Sequence, residues 1–178
     1  MPETEMTDVA GAESALSIVP VEGREGLSHV IMLAHRIWPD VYADILEPEQ
    51  IRNMLLRIYN YEHLQKELAD GHRFYVGYVG RLPVGYASAY LEDDIIWLKK
   101  LYVDRAWQGK RIGVRLMHAA VSALLPASEI RLLANPKNLP AHAFYTHAGF
   151  SRIGEMPVKM GDFEFEDFVF SMPLYEKN

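Results

Sequence analysis

The sequence predicts a single α+β domain, because segments with helical and strand-like periodicity alternate along the chain without an intervening linker. The chain has 178 residues, 49% of them hydrophobic, and this length is typical of one domain with its own core. The predicted elements follow one another in the order β-α-α-β-β-β-α-β-α-β-β. Residues 15–178 are expected to form the domain, and residues 1–14 a disordered tail.

The first half of the chain is predicted to begin with a strand and two helices. Ala15–Pro20 is a short β-like run, and apolar residues at helical spacing follow it. The first helix is expected to end at Trp38-Pro39, because a residue that precedes proline avoids the helical region. The second helix begins at Pro48, where the missing N–H costs nothing, and is expected to continue to Gly71.

The second half of the chain is predicted to be mostly strand. Its strands are Phe74–Val79, Val84–Leu91, Ile95–Val103, Glu129–Ala134, Ser151–Ile153 and Phe163–Ser171. A hairpin turn at residues 80–83 joins the first two of these strands. A helix ending near Leu125 follows the third strand, and a short helix over Pro140–His147 follows the fourth.

The composition excludes several classes of protein. No cysteine is present, which excludes disulfides, thiolate metal sites and a cysteine nucleophile. A net charge of −6 argues against a general nucleic-acid binder and favours a cationic small substrate. No apolar run approaches the roughly 20 residues that span a bilayer, and the acidic N-terminus lacks the order of a signal peptide. We therefore expect a soluble cytoplasmic protein with no nucleic-acid or membrane partner.

A basic, glycine-containing loop separates the predicted strand Ile95–Val103 from the helix that follows it. The loop lies within the segment LYVDRAWQGKRIGVRL, where Gly109 and Gly113 let backbone amides approach a ligand closely. The free N–H groups and the positive dipole end of the helix suit a phosphate group. Three side chains add positive charge: Lys110, Arg111 and Arg115. The alternative is an ordinary β–α connection with a solvated basic turn.

A second patterned segment follows the strand Glu129–Ala134. Its pattern, N-x-x-A-x-x-x-Y-x-x-x-G-F, begins at Asn138 and includes Tyr145. Asn138 can cap the helix that begins there. The hydroxyl of Tyr145 could donate a proton to a leaving group, and the alternative is a core tyrosine with its hydroxyl at the surface.

Together these two segments resemble the GNAT superfamily of N-acetyltransferases. The loop Gln108–Gly113 is similar to the acetyl-CoA pyrophosphate loop of that family, Q/R-x-x-G-x-G/A, and Asn138 and Tyr145 match its asparagine and tyrosine. The resemblance covers Ser17 to Leu174 and implies a mixed, mostly antiparallel central sheet flanked by helices on both faces. A weaker resemblance is to a bacterial branch that includes polyamine acetyltransferases.

The resemblance implies transfer of an acetyl group from acetyl-CoA, without a metal, to a primary amine of a small molecule, polyamines included, or of a peptide. It implies direct attack by the amine, with no acyl-enzyme. The pantetheine arm would pair with the backbone of Leu101, Tyr102 and Val103, where amides would also polarise the thioester carbonyl. Asn138 would contact the cofactor arm, and Tyr145 would protonate the departing thiolate. Backbone amides of seven residues would hold the pyrophosphate: Gln108, Gly109, Lys110, Arg111, Ile112, Gly113 and Val114.

Two residues depart from the family pattern. Arg111 stands where the family usually has glycine, and we expect it to have a right-handed helical φ, because a positive φ would cost on the order of 1 kcal/mol. Its guanidinium would then point at phosphate. Trp97 stands where family members often carry a catalytic glutamate, so the general base is not evident. Asp94, in the acidic turn before this strand, is the candidate base, with a solvated turn as the alternative.

The residues expected to bind the acceptor are Trp38, Tyr42 and Trp97. Aromatic rings suit an amine, and a packed helix–helix corner at Trp38 and Tyr42 is an equal alternative. The last strand is expected to expose three acidic residues, which could also attract a cationic acceptor: Glu164, Glu166 and Asp167.

Two functions from other classes remain open. A non-catalytic acyl-CoA-binding or sensing module would keep the loop and Asn138 but lack a base. If the protein were a structural interaction domain, the pattern of the basic loop and the spacing of Asn138 and Tyr145 would both be coincidental. The seven histidines show no metal-binding spacing, so no metal site is expected. Exposed C-terminal strands could pair across a homodimer, although no residue requires it.

Overall fold

The computed structural model describes residues 15–174, so the tail predicted over residues 1–14 lies outside the described part. The strands are β1 Leu16–Pro20, β2 Arg73–Val79, β3 Leu82–Glu92, β4 Ile95–Val103, β5 Glu129–Ala134, β6 Ser151–Met160 and β7 Phe163–Pro173. The helices are α1 Arg24–Tyr42, α2 Pro48–Ile58, α3 Tyr61–Ala69, α4 Ile112–Ser122 and α5 Leu139–His147. This order matches the predicted one except that three helices, rather than two, separate β1 from β2.

The strands form one sheet in the order β1-β2-β3-β4-β5-β7-β6, and every neighbouring pair is antiparallel except β4 and β5. Apolar residues of α4 and α5 pack on one face of this sheet. Those of α1, α2 and α3 pack on the other face, so the core has two layers separated by the sheet. The expectation of an α+β domain with a mostly antiparallel sheet and helices on both faces is confirmed.

The parallel strands β4 and β5 pair over only three residues and then separate. Ile95–Trp97 are in register with Glu129–Arg131, and no pairing between the two strands follows in the described chain. On its other edge β4 has a bulge: Leu98 pairs with Ala89 and Lys100 with Ser88, which leaves Lys99 as an extra residue. Because a bulge bends the strand that carries it, β4 turns away from β5 and an opening forms between them.

The first helix does not end at Trp38-Pro39, as we expected, but continues to Tyr42. Pro39 lies in the last turn, where a proline removes one backbone hydrogen bond of the helix. The adjacent Trp38 is only 2% exposed, and burial of its large ring offsets that loss.

The predicted second helix is two helices, because Asn60 begins a new one. Its side chain accepts a hydrogen bond from the N–H of His63 at 2.9 Å and caps α3. The strand β6 is also longer than predicted. It continues past Ile153 to Met160, since it pairs with β7 along nearly its whole length.

Candidate active site

The opening between β4 and β5 leads into a cavity of about 260 Å³. Its walls come from α1, α2, β4, α5 and the hairpin of β6 and β7. Asp162, at the tip of that hairpin, forms an ion pair with Arg57 of α2 at 3.0 Å, which holds the hairpin over the cavity. Seven of the predicted site residues line it: Trp38, Tyr42, Trp97, Leu101, Tyr102, Asn138 and Tyr145.

The backbone of β4 presents free hydrogen-bonding groups to this opening. The N–H of Asp104 donates to the carbonyl of Val84 at 2.8 Å, which makes Val103 and Gly85 a pair without hydrogen bonds to each other. The N–H and carbonyl of Val103 therefore point away from β3, and so do those of Leu101, two residues earlier. The backbone groups of Tyr102 point towards β3. Of the three predicted backbone contacts, Leu101 and Val103 face the opening.

Gln108 fixes one of these groups. Its side-chain Nε2 donates to the carbonyl of Val103 at 3.1 Å. This bond ties the start of the loop to the end of β4 and leaves the N–H of Val103 facing the opening. Gln108 is thus placed at the site through its side chain, whereas the sequence suggested its backbone amide.

The loop before α4 carries amides that have no backbone acceptor. Within residues 15–174, no main-chain carbonyl accepts a hydrogen bond from the N–H groups of Gly109 to Val114. Gly109 has a φ of +77° and Arg111 a φ of +61°, and this alternation turns successive amides outwards into an anion-binding concavity. Ile112, 3% exposed, anchors the first turn of α4 against the sheet. These amides fit a diphosphate at the helix N-terminus.

Gly113 allows two helices to pack closely, in addition to letting a ligand approach the backbone amides. A Cβ built on it would lie 3.3 Å from Cζ of Phe144. Its missing side chain therefore lets α4 approach α5, which keeps the loop beside the helix that carries Tyr145.

The expectation for the φ of Arg111 was wrong. The residue is left-handed, with φ 61° and ψ 14°, and forms the N-cap of α4. The loop must reverse between Gly109 and the first turn of the helix, and the left-handed conformation at Arg111 completes that reversal. For a residue with a Cβ this conformation costs about 1–2 kcal/mol.

We expect Arg111→Gly to raise the free energy of unfolding by about 0.5–1 kcal/mol, because relief of this strain exceeds the entropy that glycine adds to the unfolded chain. Chemical denaturation of both proteins measures the change. Lys110→Gly is the matched control, since Lys110 does not have a positive φ. An Arg111→Gly protein that is no more stable than wild type would contradict the strain at this position.

Tyr145 is held rigidly at the edge of the cavity. Its ring, 9% exposed, lies 5.6 Å from that of Phe150 and 6.3 Å from that of Phe170. Asn138 caps the helix as predicted, with its Oδ1 accepting from the N–H of Ala141 at 3.3 Å. Burial raises the pKa of Tyr145, and the nearby Tyr42 raises it further. The hydroxyl therefore keeps its proton at neutral pH and can act as a donor.

An aromatic cluster forms another part of the cavity wall. The ring of Trp38 lies 4.7 Å from that of Tyr42 and 5.3 Å from that of Tyr59. The hydroxyls of Tyr42 and Tyr102 are hydrogen-bonded at 2.9 Å. Trp38 and Tyr42 therefore match both sequence alternatives at once: they pack a helix corner, and they line the cavity.

The structure does not bring Asp94 to the cavity. Asp94 is exposed in the turn between β3 and β4, and its carbonyl accepts hydrogen bonds from the N–H and Oγ of Ser128 at 2.9 and 3.0 Å. This turn adjoins the part of β4 that is still paired with β5, at the end away from the opening. Asp94 therefore matches the alternative of a solvated turn, and it is not among the residues that line the cavity with Tyr145.

Asp167 is the carboxyl that reaches the cavity, although we expected it to be exposed. It is 9% exposed, and no hydrogen bond to its Oδ1 comes from the described residues. Side chains alternate along a strand, so Asp167 shares a face with Phe163 and Phe165 rather than with Glu164 and Glu166. The period of two from Phe163 is the sequence signal that identifies it.

Two lysines of β4, Lys99 and Lys100, line the cavity beside Trp97, and both form ion pairs with Glu67. Glu67 of α3 is 5% exposed, and its two carboxylate oxygens lie 2.6 Å from Nζ of Lys99 and Nζ of Lys100. Burial alone would raise the pKa of Glu67, but Lys100 and Lys99 lower it to about 2. Burial lowers the pKa of Lys100 to about 8, against the attraction of Glu67. The bulge at Lys99 brings both lysines to this face.

Two further features bear on ligands and surroundings. Within residues 15–174, no three histidine, aspartate or glutamate side chains gather as a metal site would require. None of the helices in that stretch is both long and apolar enough to cross a membrane.

Solved structures share this fold at low sequence identity. The PaiA N-acetyltransferase of Thermoplasma acidophilum, in complex with coenzyme A, is 22% identical with a TM-score of 0.76. The match covers 89% of this chain and 99% of the Thermoplasma chain. A GNAT-family acetyltransferase of Staphylococcus aureus is 18% identical with a TM-score of 0.68, covering 90% and 100%. Naa50 of Arabidopsis thaliana, in complex with the bisubstrate analogue CoA-Ac-MVNAL, is 18% identical with a TM-score of 0.62, covering 88% and 97%.

The sequence itself matches a family. The model of the acetyltransferase (GNAT) family matches residues 34–150, about two thirds of the chain. That segment includes β4, the loop, α4, β5 and α5, which together form the opening and carry Tyr145. The chain therefore belongs to the acetyltransferase (GNAT) family and is an acyltransferase.

Proposed function

We propose that this protein transfers an acetyl group from acetyl-CoA to a primary amine of a small molecule or peptide. The observation that carries the proposal is the position of the free amides of Gly109 to Val114. These amides follow the end of β4, to which Gln108 is hydrogen-bonded, and Tyr145 lines the cavity that β4 also lines. Similar folds bind coenzyme A in the Thermoplasma protein and a CoA–peptide analogue in the Arabidopsis protein.

Three groups of residues fit acetyl-CoA. The amides of Gly109 to Val114 would hold the diphosphate, with Lys110 and Arg111 adding positive charge. The free N–H of Val103 and the carbonyl of Leu101 would pair with the amides of the pantetheine arm, as an added strand would. Asn138 would flank that arm from the start of α5. When bound, acetyl-CoA supplies an activated acetyl thioester.

The remaining residues would act on the amine and the leaving group. The N–H of Leu101, which also faces the opening and lies further from the loop than Val103, would donate to the thioester carbonyl oxygen and stabilise the negative charge that develops there. Tyr145 would donate its proton to the departing sulfur. The sequence contains no cysteine, so no thiol of this chain can carry the acetyl group as an acyl-enzyme. The amine would therefore attack acetyl-CoA directly.

Acetyl-CoA is expected to raise the melting temperature, since it binds the native state preferentially. At a concentration a hundred times its Kd the stabilisation is about 2.7 kcal/mol, which corresponds to roughly 5–10 °C for a domain of this size. Differential scanning fluorimetry measures the shift. Pantetheine at the same concentration, which lacks the diphosphate, is the control and should give a smaller melting shift. Equal shifts would show that the loop does not belong to the binding site.

The test of the proposed function is the release of free CoA thiol from acetyl-CoA in the presence of amines. The panel contains 2-phenylethylamine, spermidine and a peptide with a free N-terminus, with N-acetylated peptide as the control. Amine-dependent release, with acetylated product seen by mass spectrometry, would support the proposal. Binding of acetyl-CoA without release for any amine would favour a sensing module instead. The cytoplasmic location and the homodimer stay predictions.

A further inference from the structure

Asp167 lies at a break in the sheet. Its neighbour Phe168 pairs with Ala134, the last residue of β5, so β7 passes beyond the end of β5 at Asp167. Among the described residues, β6 alone pairs with β7 at this point, through Met156. The side chain of Asp167 therefore points into the cavity at the mouth of the opening that Tyr145 also lines.

The carboxylate of Asp167 has no cation within the described chain. No salt bridge or hydrogen bond joins it to any of residues 15–174, and its Oδ1 is fully buried. Burial raises the pKa of this carboxyl. The pKa of Tyr42 is raised chiefly by the burial of that tyrosine, and the charge of Asp167 raises it further. The two lysines that line the cavity form ion pairs with Glu67 and not with Asp167. A buried carboxylate without a partner is costly, so it is suited to a cation that arrives from solvent.

The rest of the cavity favours an uncharged, apolar group. Between the aromatic cluster and the hairpin its walls are mostly aliphatic and aromatic: Leu46, Met54, Ile58, Trp97, Val158, Met160 and Phe165. Lys99 and Lys100 line the cavity and share the single carboxylate of Glu67, which leaves a net positive charge there that repels a second cation. An α-carboxylate next to the amine would face Asp167 and be repelled as well.

We propose that Asp167 binds the ammonium group of the acceptor and takes its proton, and that the acceptor carries this amine on an uncharged apolar group. The inference rests on the proposed function and specifies its substrate class. Arylalkylamines and peptides with an apolar first residue share this chemistry. Spermidine, with further ammonium groups, and free amino acids do not.

The proton balance is complete with the groups at the site. Asp167 removes one proton from the ammonium, and the nitrogen lone pair forms the bond to the acetyl carbon while the carbon–sulfur bond breaks. Tyr145 gives its proton to the sulfur and regains one from the nitrogen. Asp167 then releases its proton to water, so the products are the amide, free CoA and one proton.

The test compares Asp167→Asn and Asp167→Glu with wild type. Glu155→Gln is the matched control, because it removes an exposed carboxylate from the neighbouring strand outside the cavity. Acetyl-CoA turnover is measured with 2-phenylethylamine, with a peptide amide that begins with phenylalanine, with spermidine and with free phenylalanine. Binding of 2-phenylethylamine in the presence of CoA is measured by calorimetry.

Wild type is expected to prefer 2-phenylethylamine and the peptide amide, whose ammonium group is carried on an uncharged apolar group, over spermidine and free phenylalanine. The better of these two acceptors shows whether the substrate is a small arylalkylamine or a peptide. Asp167→Asn should lower kcat/KM for the amine about 100-fold, while it melts no lower than wild type and keeps the acetyl-CoA shift. Asp167→Glu should recover part of the loss. Unchanged kcat/KM in Asp167→Asn, or a preference for spermidine, would overturn the inference.

Calorimetry separates the two proposals. If wild type binds 2-phenylethylamine through Asp167 but releases no CoA with any amine, the proposed function fails and the amine site stands. If wild type acetylates amines, yet Asp167→Asn binds and acetylates them equally well, the amine site fails and the proposed function stands. If Asp167→Asn melts well below wild type, Asp167 has a structural partner, which also contradicts the inference.

Discussion

Tyr145→Phe is expected to lower kcat for acetyl transfer about 100-fold or more, because it removes only the hydroxyl that we propose protonates the leaving sulfur. The ring keeps its contacts with Phe150 and Phe170, so the fold and the affinity for acetyl-CoA should be nearly unchanged. Steady-state kinetics with the best amine of the panel measures the change. The acetyl-CoA melting shift of the variant checks that the cofactor still binds.

Tyr78→Phe is the matched control for this variant. It removes a tyrosine hydroxyl that is hydrogen-bonded to His29 at 2.7 Å on the strand β2, away from the residues that line the cavity. Its kcat should equal that of wild type. If Tyr145→Phe also turns over at the wild-type rate, Tyr145 is not the acid and belongs to the core alone.

Glu67→Gln is expected to lower the free energy of unfolding by about 3–5 kcal/mol, because it leaves the buried ammonium of Lys100 without its carboxylate. For a domain of this size the melting temperature should fall by roughly 6–20 °C. Chemical denaturation at neutral pH measures the loss. The matched control is Asp70→Asn, which breaks the exposed pair of Lys66 and Asp70 at 2.6 Å and should change stability by about 0.5 kcal/mol or less.

The effect of Glu67 depends on pH in a fixed direction. Its pKa is lowered from 4.5 in the unfolded chain to about 2 in the folded protein. Its contribution is therefore fully present above pH 4.5 and is lost as the pH falls from 4.5 towards 2. The gap in stability between wild type and Glu67→Gln should narrow across that interval. A gap that stays constant there would contradict the ion pair as its source.

Much of the fold could be predicted because local patterns decide it. The strands β4 and β5 begin and end at the predicted residues, since β-branched and aromatic runs between turn formers leave little choice. The end of α1 could not be predicted from Pro39 alone. Its continuation depends on burial of Trp38 against residues distant in sequence, and tertiary packing outweighs the local preference there.

The loop that we propose for the diphosphate is visible in the sequence, whereas the proposed acceptor side is not. Glycine and basic residues before a helix are a local signal, so the loop at Gly109 to Gly113 is visible in the sequence. In the sequence, Asp94 and Asp167 both lie next to another acidic residue, so both are expected to be solvated. The period of two from Phe163 places Asp167 on the face of Phe163 and Phe165, but the break in the sheet that opens this face to the cavity depends on where β5 ends, and strand pairing decides that. The left-handed Arg111 was missed because strain at a functional loop runs against local preference.

A crystal structure of the protein with CoA bound tests the central claim most directly. We predict that the diphosphate oxygens lie within hydrogen-bond distance of the amides of Gly109 to Val114, and that the pantetheine arm follows Leu101 and Val103 into the opening. The sulfur should then lie beside the hydroxyl of Tyr145, with Asp167 across the cavity. CoA bound elsewhere, or a sulfur directed away from Tyr145, would contradict this account.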